Sequence, residues 1–243
     1  MSRLYGRVVR LYEDSDLLAV HKPAGIATVH DAARPDMPDL HAWLESQAGR
    51  LWVVHRLDRE TSGVVVFARN EAAHRALCAQ FEERDVIKIY HAILVGNPPW
   101  SERMVDAPLR ADADRRHRTV VDIVGGKPAI THFRVLQRLK RFTLVEARPE
   151  TGRTHQIRVH AALLGHPVAV DDLYGDGRPI FLSQHKPDYR PSRSEEEQPL
   201  LGRLALHAAQ LRFQHPRTGE VIDLSAPYAK DFNATLNQFS KLA

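Results

Sequence analysis

An α+β fold, built as a single domain on a large mixed or antiparallel β-sheet flanked by helices and loops, is predicted by two features of this sequence. Short apolar runs bounded by turn-forming residues follow one another along most of the chain, as strands do. A few capped, helix-periodic segments interrupt them without the regular alternation of a parallel α/β protein. No repeat or obvious linker divides the chain, so residues 1–243 are read as one domain.

The elements follow in order. Residues 7–12 and 17–20 flank the turn-rich Glu13-Asp14-Ser15-Asp16 and predict a hairpin. Asp39 caps a helix over 40–48. Residues 52–54 and 64–67 read as short buried strands. Asn70 opens an apolar-periodic helix over 70–84, on which Cys78 is expected to be buried. Residues 86–95 alternate as a strand does. Strands are then expected over 120–124, 129–136 and 142–147, with Gly125-Gly126 as a hairpin turn. Thr154 can cap a helix over 155–164 that stops at Gly165, its apolar face carrying Ile157, Ala161 and Leu164 while Arg158 sits off that stripe. Residues 231–239 predict a last helix. The polar, Pro-containing stretch at about 183–200 reads as an exposed loop, whose Lys186, Arg190 and Arg193 are better explained by solvation beside Glu195-Glu196-Glu197 than by phosphate contacts.

Composition narrows the function. The 243 residues are 43% hydrophobic and 26% charged, enough for a packed core. Lys plus Arg exceed Asp plus Glu by 34 to 30, and the pI of about 9.3 is compatible with a polyanionic partner without requiring one. Cys78 is the only cysteine, which excludes an intrachain disulfide and a Cys-based zinc finger. Neither an export signal nor a membrane-length apolar run is present, so a cytoplasmic protein is expected. Fourteen histidines invite a metal, but His155 and His160 are five apart where ligands on one helix face sit three or four apart, and no metal is expected. No phosphate loop or dinucleotide fingerprint occurs, so no nucleotide cofactor is expected.

The segment His55-Arg56-Leu57-Asp58-Arg59-Glu60-Thr61-Ser62-Gly63 places a cation, an acid and a small-residue turn between two apolar runs. A polar loop held by buried strands is where a site sits, and Asp58 is expected to point into a cleft. Taken alone, an Arg-x-Asp is more simply a surface ion pair of Arg56 or Arg59 with Asp58 or Glu60.

The order of residues goes further: this stretch closely resembles the central motif of the RluA-type RNA pseudouridine synthases. The resemblance extends upstream to His21-Lys22-Pro23-Ala24-Gly25, where His21 replaces the usual Asn, and downstream to Lys88-Ile89-Tyr90. Residues 150–160, from Glu150-Thr151-Gly152-Arg153 onward, match the third motif, followed by Gly165-His166-Pro167, Asp171-Asp172-Leu173-Tyr174-Gly175 and Arg203-Leu204-Ala205-Leu206-His207-Ala208. The motif-bearing core is about residues 8–228.

The resemblance implies the pseudouridine synthase fold with a central RNA-binding cleft, and isomerisation of specific uridines in ribosomal RNA or tRNA without a cofactor. It implies Asp58 as the catalytic carboxylate, acting as a nucleophile at C1′ or C6 or as a base at C2′. It gives Arg158 as a cation that keeps that acid ionised and Tyr90 as the phenol that handles the C5 proton. Arg56 would fill the stack when the target base flips out. Thr61, with Ser62 and Gly63, would shape the turn behind Asp58. His55, Lys22, Arg153, His155 and Gln156 complete the implied substrate-binding set, with phosphate contact and loop bracing left open for Lys22, Arg153, His155, Gln156 and His160, and a structural hydrogen-bonding role favoured over catalysis for Gln156 and His207. Many relatives carry a separate N-terminal RNA-binding domain; none is expected here, so substrate choice would come from the catalytic domain, acting as a monomer. The alternative is a non-catalytic RNA-binding or RNA-chaperone protein using the same basic cleft.

Overall fold

The computed structural model of the chain describes residues 5–30, 37, 39–186, 189 and 196–242. Its elements begin with β1 (Val9–Glu13), β2 (Leu17–Lys22), α1 (Leu40–Ala48), β3 (Trp52–Val53), β4 (Ser62–Ala68), α2 (Glu71–Glu83) and β5 (Ile87–Val95). They continue with β6 (Glu102–Asp106), β7 (Leu109–Arg110), β8 (Val120–Val121), β9 (Ile130–Leu139) and β10 (Phe142–Pro149). The last are α3 (Gln156–Leu163), β11 (Leu206–Gln214), β12 (Val221–Ser225) and α4 (Lys230–Ser240). The chain is of the expected α+β class. It divides into two compact units, residues 1–90 with 207–227 and residues 91–206 with 228–243, and β5 crosses the boundary.

In the first unit the strand order is β1-β2-β4-β11, with β3 also paired to β4 and β12 to β11. β4 and β11 are parallel and the other pairs antiparallel, so the sheet is mixed. Alternate residues of a strand face opposite sides, and both sides of this sheet are covered. Leu17, Ala19, Val64 and Val66 pack with Ala73 and Leu77 of α2. Leu18, Val20, Val65 and Phe67 pack on the other side with Leu40 and Leu44 of α1. Burial on both faces is why 17–20 and 64–67 read as unbroken apolar runs. The expected caps are in place: the Asp39 carboxylate accepts from Ala42 N–H and the Asn70 side chain from Ala73 N–H.

Gly63 is required where β4 meets β11. Its φ is +126°, and a Cβ there would lie 2.1 Å from the Ala208 carbonyl oxygen. The turn between β1 and β2 is organised by Asp14, whose Oδ1 accepts from the N–H groups of Asp16 (2.7 Å) and Leu17 (2.8 Å). His215 and Arg217, in the turn after β11, reach the same place by bonding Asp14 (2.8 Å) and Asp16 (2.6 Å). Burial alone would raise the Asp14 pKa, but the hydrogen bonds from Asp16 N–H, Tyr12, His215 and Leu17 N–H outweigh it and hold the carboxyl at about 2. Asp14, Asp16 and His215 lie close enough to ligate an ion, yet these internal bonds make the group a latch between two turns of the first unit.

The second unit carries the antiparallel run β10-β9-β6 beside the end of β5, and a small β7-β8 pair. The buried side of α4 presents Phe232, Leu236 and Phe239, the last edge-on to Phe142 at 4.9 Å. Three expectations are corrected here. The strand expected over 120–124 is only Val120–Val121, because Asp122 makes the turn: its side chain accepts from Val124 and Gly125 N–H, leaving Ile123 and Val124 exposed at the tip. Thr154 does not cap α3; His155 stands at that position in the left-handed region (φ +55°) with no side-chain cap bond. Arg158, expected off the apolar stripe to face a cleft or solvent rather than the core, is buried, because α3 is buried nearly all round. In the first unit, Cys78 is half-buried beside His74 rather than fully buried. Of the loop expected at 183–200, Lys186 and Glu196 are exposed, while Arg190, Arg193 and Glu195 lie outside the described residues.

Candidate active site

Asp58 sits half-buried in the segment between β3 and β4, and that segment is pinned along its length by groups of the first unit. At its start, Val66 N–H donates to His55 Nε2 (3.1 Å), so that nitrogen bears the lone pair and a neutral ring carries its proton on Nδ1. Burial, and secondarily the Lys88 charge, lower the His55 pKa to about 3. In the middle, the Thr28 hydroxyl donates to Leu57 O (2.8 Å) and accepts from Leu57 N–H (3.0 Å). After Asp58, Lys22 Nζ donates to the carbonyls of Arg59 (3.0 Å), Ile26 (2.7 Å) and Pro23 (3.1 Å), and Gly25 N–H donates to Arg59 O (2.9 Å). Thr61 N–H closes the turn on Asp58 O at 3.1 Å. Beyond it, Ser62 donates to His207 Nδ1 (2.9 Å), whose Nε2 donates to Ala226 O (3.1 Å). His207 is thus the structural hydrogen-bonding group that was favoured.

Two residues of the implied substrate-binding set bond to the protein's own main chain. Lys22 is fully buried against main-chain carbonyls, so it braces the loop and is out of reach of a phosphate. His55 is a neutral acceptor turned toward β4, with its ring stacked on Phe81 at 4.8 Å. Thr61 is buried too, and its hydroxyl has no hydrogen-bond partner among the described residues.

Tyr90, on β5, shares the unit and packs against the core cluster that contains Leu57. Burial first, and then the Asp58 carboxylate, push its pKa well above the ordinary phenol value. The phenol is therefore protonated throughout the physiological range, close enough to feel the Asp58 charge. Arg56 is exposed and, with Arg59, His30, Thr28 and Leu57, lines a cavity of about 240 Å³. The loop thus presents a carboxylate and an exposed planar cation on a fixed backbone, with the neutral phenol of β5 nearby.

Arg153, His155, Gln156 and Arg158 belong to the second unit. Arg158 Nε and Nη2 bind both oxygens of Asp171 at 2.7 Å, with the guanidinium also over the Tyr174 ring. Both partners are buried. Gln156 is buried and bonded on both ends: its oxygen accepts from Thr151 and Arg153 N–H, and its nitrogen donates to Ile130 O and Thr131 Oγ1. Thr131 also pairs with His160 Nδ1, whose Nε2 reaches Ala107 O. Gln156 thus spends its carboxamide on bonds within the second unit. Arg153 Nε donates to Pro128 O, and His155 Nδ1 pairs with the Tyr174 hydroxyl at 2.9 Å.

Residues 16–163 match the family described as RNA pseudouridylate synthase. The chain belongs to that family. It is 40% identical over 221 residues to ribosomal large subunit pseudouridine synthase C of Vibrio vulnificus, covering 89% of this chain and 64% of that protein. It is 39% identical over 227 residues to ribosomal large subunit pseudouridine synthase D of Neisseria meningitidis, covering 91% and 58%. The uncharacterized RNA pseudouridine synthase YlyB of Bacillus subtilis is 38% identical over 240 residues, covering 95% and 72%. The chain thus spans somewhat less than two thirds of the first two relatives. Among solved structures, human RNA pseudouridylate synthase domain containing 4 superposes with a TM-score of 0.72 at 26% identity, covering 98% of this chain and 95% of that one. Among the described residues, no helix is long and apolar enough to cross a membrane.

Within this family frame, one group in each unit carried no role in the sequence reading. Asp171 stands in a motif segment, but its pairing with Arg158, 13 residues earlier, is set by tertiary packing. Thr28 is a single hydroxyl in an apolar stretch, and its partner Leu57 lies 29 residues away.

Proposed function

We propose that this protein is an RNA pseudouridine synthase that isomerises uridines in ribosomal RNA, with Asp58 as its catalytic carboxylate. The observation that carries this reading is the loop that bears Asp58, whose main chain is fixed on both sides of the acid by Thr28 and Lys22, with the protonated Tyr90 of β5 near enough to feel the carboxylate. The names of the relatives, which describe large-subunit synthases, support the choice of ribosomal RNA; tRNA is the other family-type substrate to be tested.

The reaction needs neither oxidant nor second substrate. The glycosidic C1′–N1 bond breaks, the uracil turns, C1′ bonds to C5, and the C5 proton leaves while N1 gains one. Asp58 serves either as the nucleophile at C1′ or C6 or as the base at C2′. A phenol protonated at rest cannot simply accept the C5 proton. Tyr90 instead relays it, passing its own proton on as it takes the new one. Arg56, exposed and planar, takes the place of the flipped base in the stack.

The test is pseudouridine mapping with a carbodiimide label in total RNA from cells lacking the gene, complemented by wild type or Asp58→Asn. The expected result is a site restored by wild type alone, with purified Asp58→Asn binding the same RNA within a few-fold. If Asp58→Asn restores the site, the catalytic assignment is wrong. If no site changes and the purified protein binds RNA without converting it, the protein is an RNA-binding one.

A further inference from the structure

We infer that Thr28 is a positioning residue for the reaction, setting the orientation of both Asp58 and Arg56 through the one residue between them; this rests on the function proposed above. The Thr28 hydroxyl is buried, donates to Leu57 O at 2.8 Å and accepts from Leu57 N–H at 3.0 Å. Leu57 N–H belongs to the peptide group shared with Arg56, and Leu57 C=O to the one shared with Asp58. A single side chain therefore fixes the two peptide planes from which both side chains depart. The Leu57 side chain is itself buried in the core cluster with Leu18, Val20 and Phe67, so the contact is made against a packed support.

Only a hydroxyl can donate and accept from one atom at this spot. Valine matches the volume of threonine and removes both bonds, leaving two main-chain groups to find new partners and freeing the planes to rotate. A displacement of the carboxylate by about 1 Å is enough to cost on the order of a hundredfold in rate. RNA affinity, which does not depend on the exact placement of the carboxylate, is expected to change little.

The experiment compares wild type, Thr28→Val and Thr28→Ser. It reads kcat and KM for pseudouridine formation on a large-subunit RNA transcript, RNA affinity, folded fraction by circular dichroism, and hydrogen exchange at Leu57 N–H. For Thr28→Val we expect kcat to fall about 10- to 100-fold with KM and RNA affinity within about threefold, and Leu57 N–H to lose protection while the protein remains folded. Thr28→Ser, which keeps the donor and acceptor, is expected to restore most of the rate. A Thr28→Val kcat close to wild type overturns the inference. So does a loss that merely follows the folded fraction, or a Thr28→Ser as impaired as Thr28→Val. If wild type makes no pseudouridine, the proposed function falls instead. The exchange measurement then decides alone, and unchanged protection of Leu57 N–H in Thr28→Val rejects the positioning role.

Discussion

Replacing His55 by glutamine tests whether this histidine, at the start of a motif rich in charge, is a neutral anchor rather than an RNA-facing cation. Its pKa is lowered from 6.5 to about 3, through burial and then the Lys88 charge. In the unfolded chain it titrates near 6.5. Between those values the unfolded state takes up a proton that the folded state refuses, so stability is full above about pH 6.5 and is lost as the pH falls toward 3. Linkage with these two values gives a loss of about 2 kcal/mol between pH 7 and pH 5 from this one ring. Glutamine cannot titrate, yet its carboxamide oxygen reaches about as far as Nε2 and can accept from Val66 N–H. Urea denaturation at pH 7, 6 and 5 should therefore show wild type losing about 2 kcal/mol more than His55→Gln over that interval, with the other histidines cancelling in the comparison. Parallel pH dependences in the two proteins would refute the reasoning. An NMR titration of the wild-type ring gives the same answer without a variant: a midpoint near 6.5 would show that His55 is not held neutral.

Two further predictions concern the frame of each unit. Gly63→Ala would set a Cβ at 2.1 Å from Ala208 O and 2.6 Å from Ala208 N, at a φ of +126°; the obstacle is main chain of a paired strand, so the expected loss is about 3 kcal/mol or more in thermal or urea unfolding, and a loss under about 1 kcal/mol would show that β4 and β11 part easily. Asp171→Ala strands the buried Arg158 guanidinium and should cost about 3–5 kcal/mol, whereas Asp172→Ala, whose carboxylate is 77% exposed and 3.5 Å from Arg158, should cost under about 1 kcal/mol; equal losses would mean that the bidentate pair is not what holds Arg158.

What the sequence disclosed and what it withheld divide along physical lines. β2 and β4 were legible because each is buried on both faces, and the α1 and α2 caps because Asp39 and Asn70 act on main-chain groups within their own turn. The Val120–Val121 strand was over-extended because Gly125-Gly126 looked like the turn, while the turn is made by the Asp122 carboxylate accepting from Val124 and Gly125 N–H. α3 was misjudged for a different reason. A helix buried nearly all round can carry Gln156, Arg158 and His160 only if each finds a partner, and although Thr151 lies just ahead of the helix, Thr131, Asp171 and Ala107 come from other parts of the chain. No local periodicity encodes that.

The same distinction explains why the motif around Asp58 was recognisable while the surroundings of its residues were not. Side-chain type is written in the sequence, but whether a cation meets solvent or main chain is decided by packing. Lys22 and Arg56 are both basic residues of family-like segments, yet one is sealed against three carbonyls and the other stands exposed beside a cavity. A fully buried ammonium ion is tolerable only where it is fully hydrogen-bonded. The three carbonyls that satisfy Lys22 include that of Arg59, directly after Asp58, so the bonding that satisfies the cation also fixes the backbone of the acid. Thr28 does the same on the other side with a neutral group. The role proposed for Asp58, meeting one atom of a flipped nucleotide, calls for a rigid backbone. In this protein that rigidity comes from buried side chains bonded to the main chain on either side of Asp58.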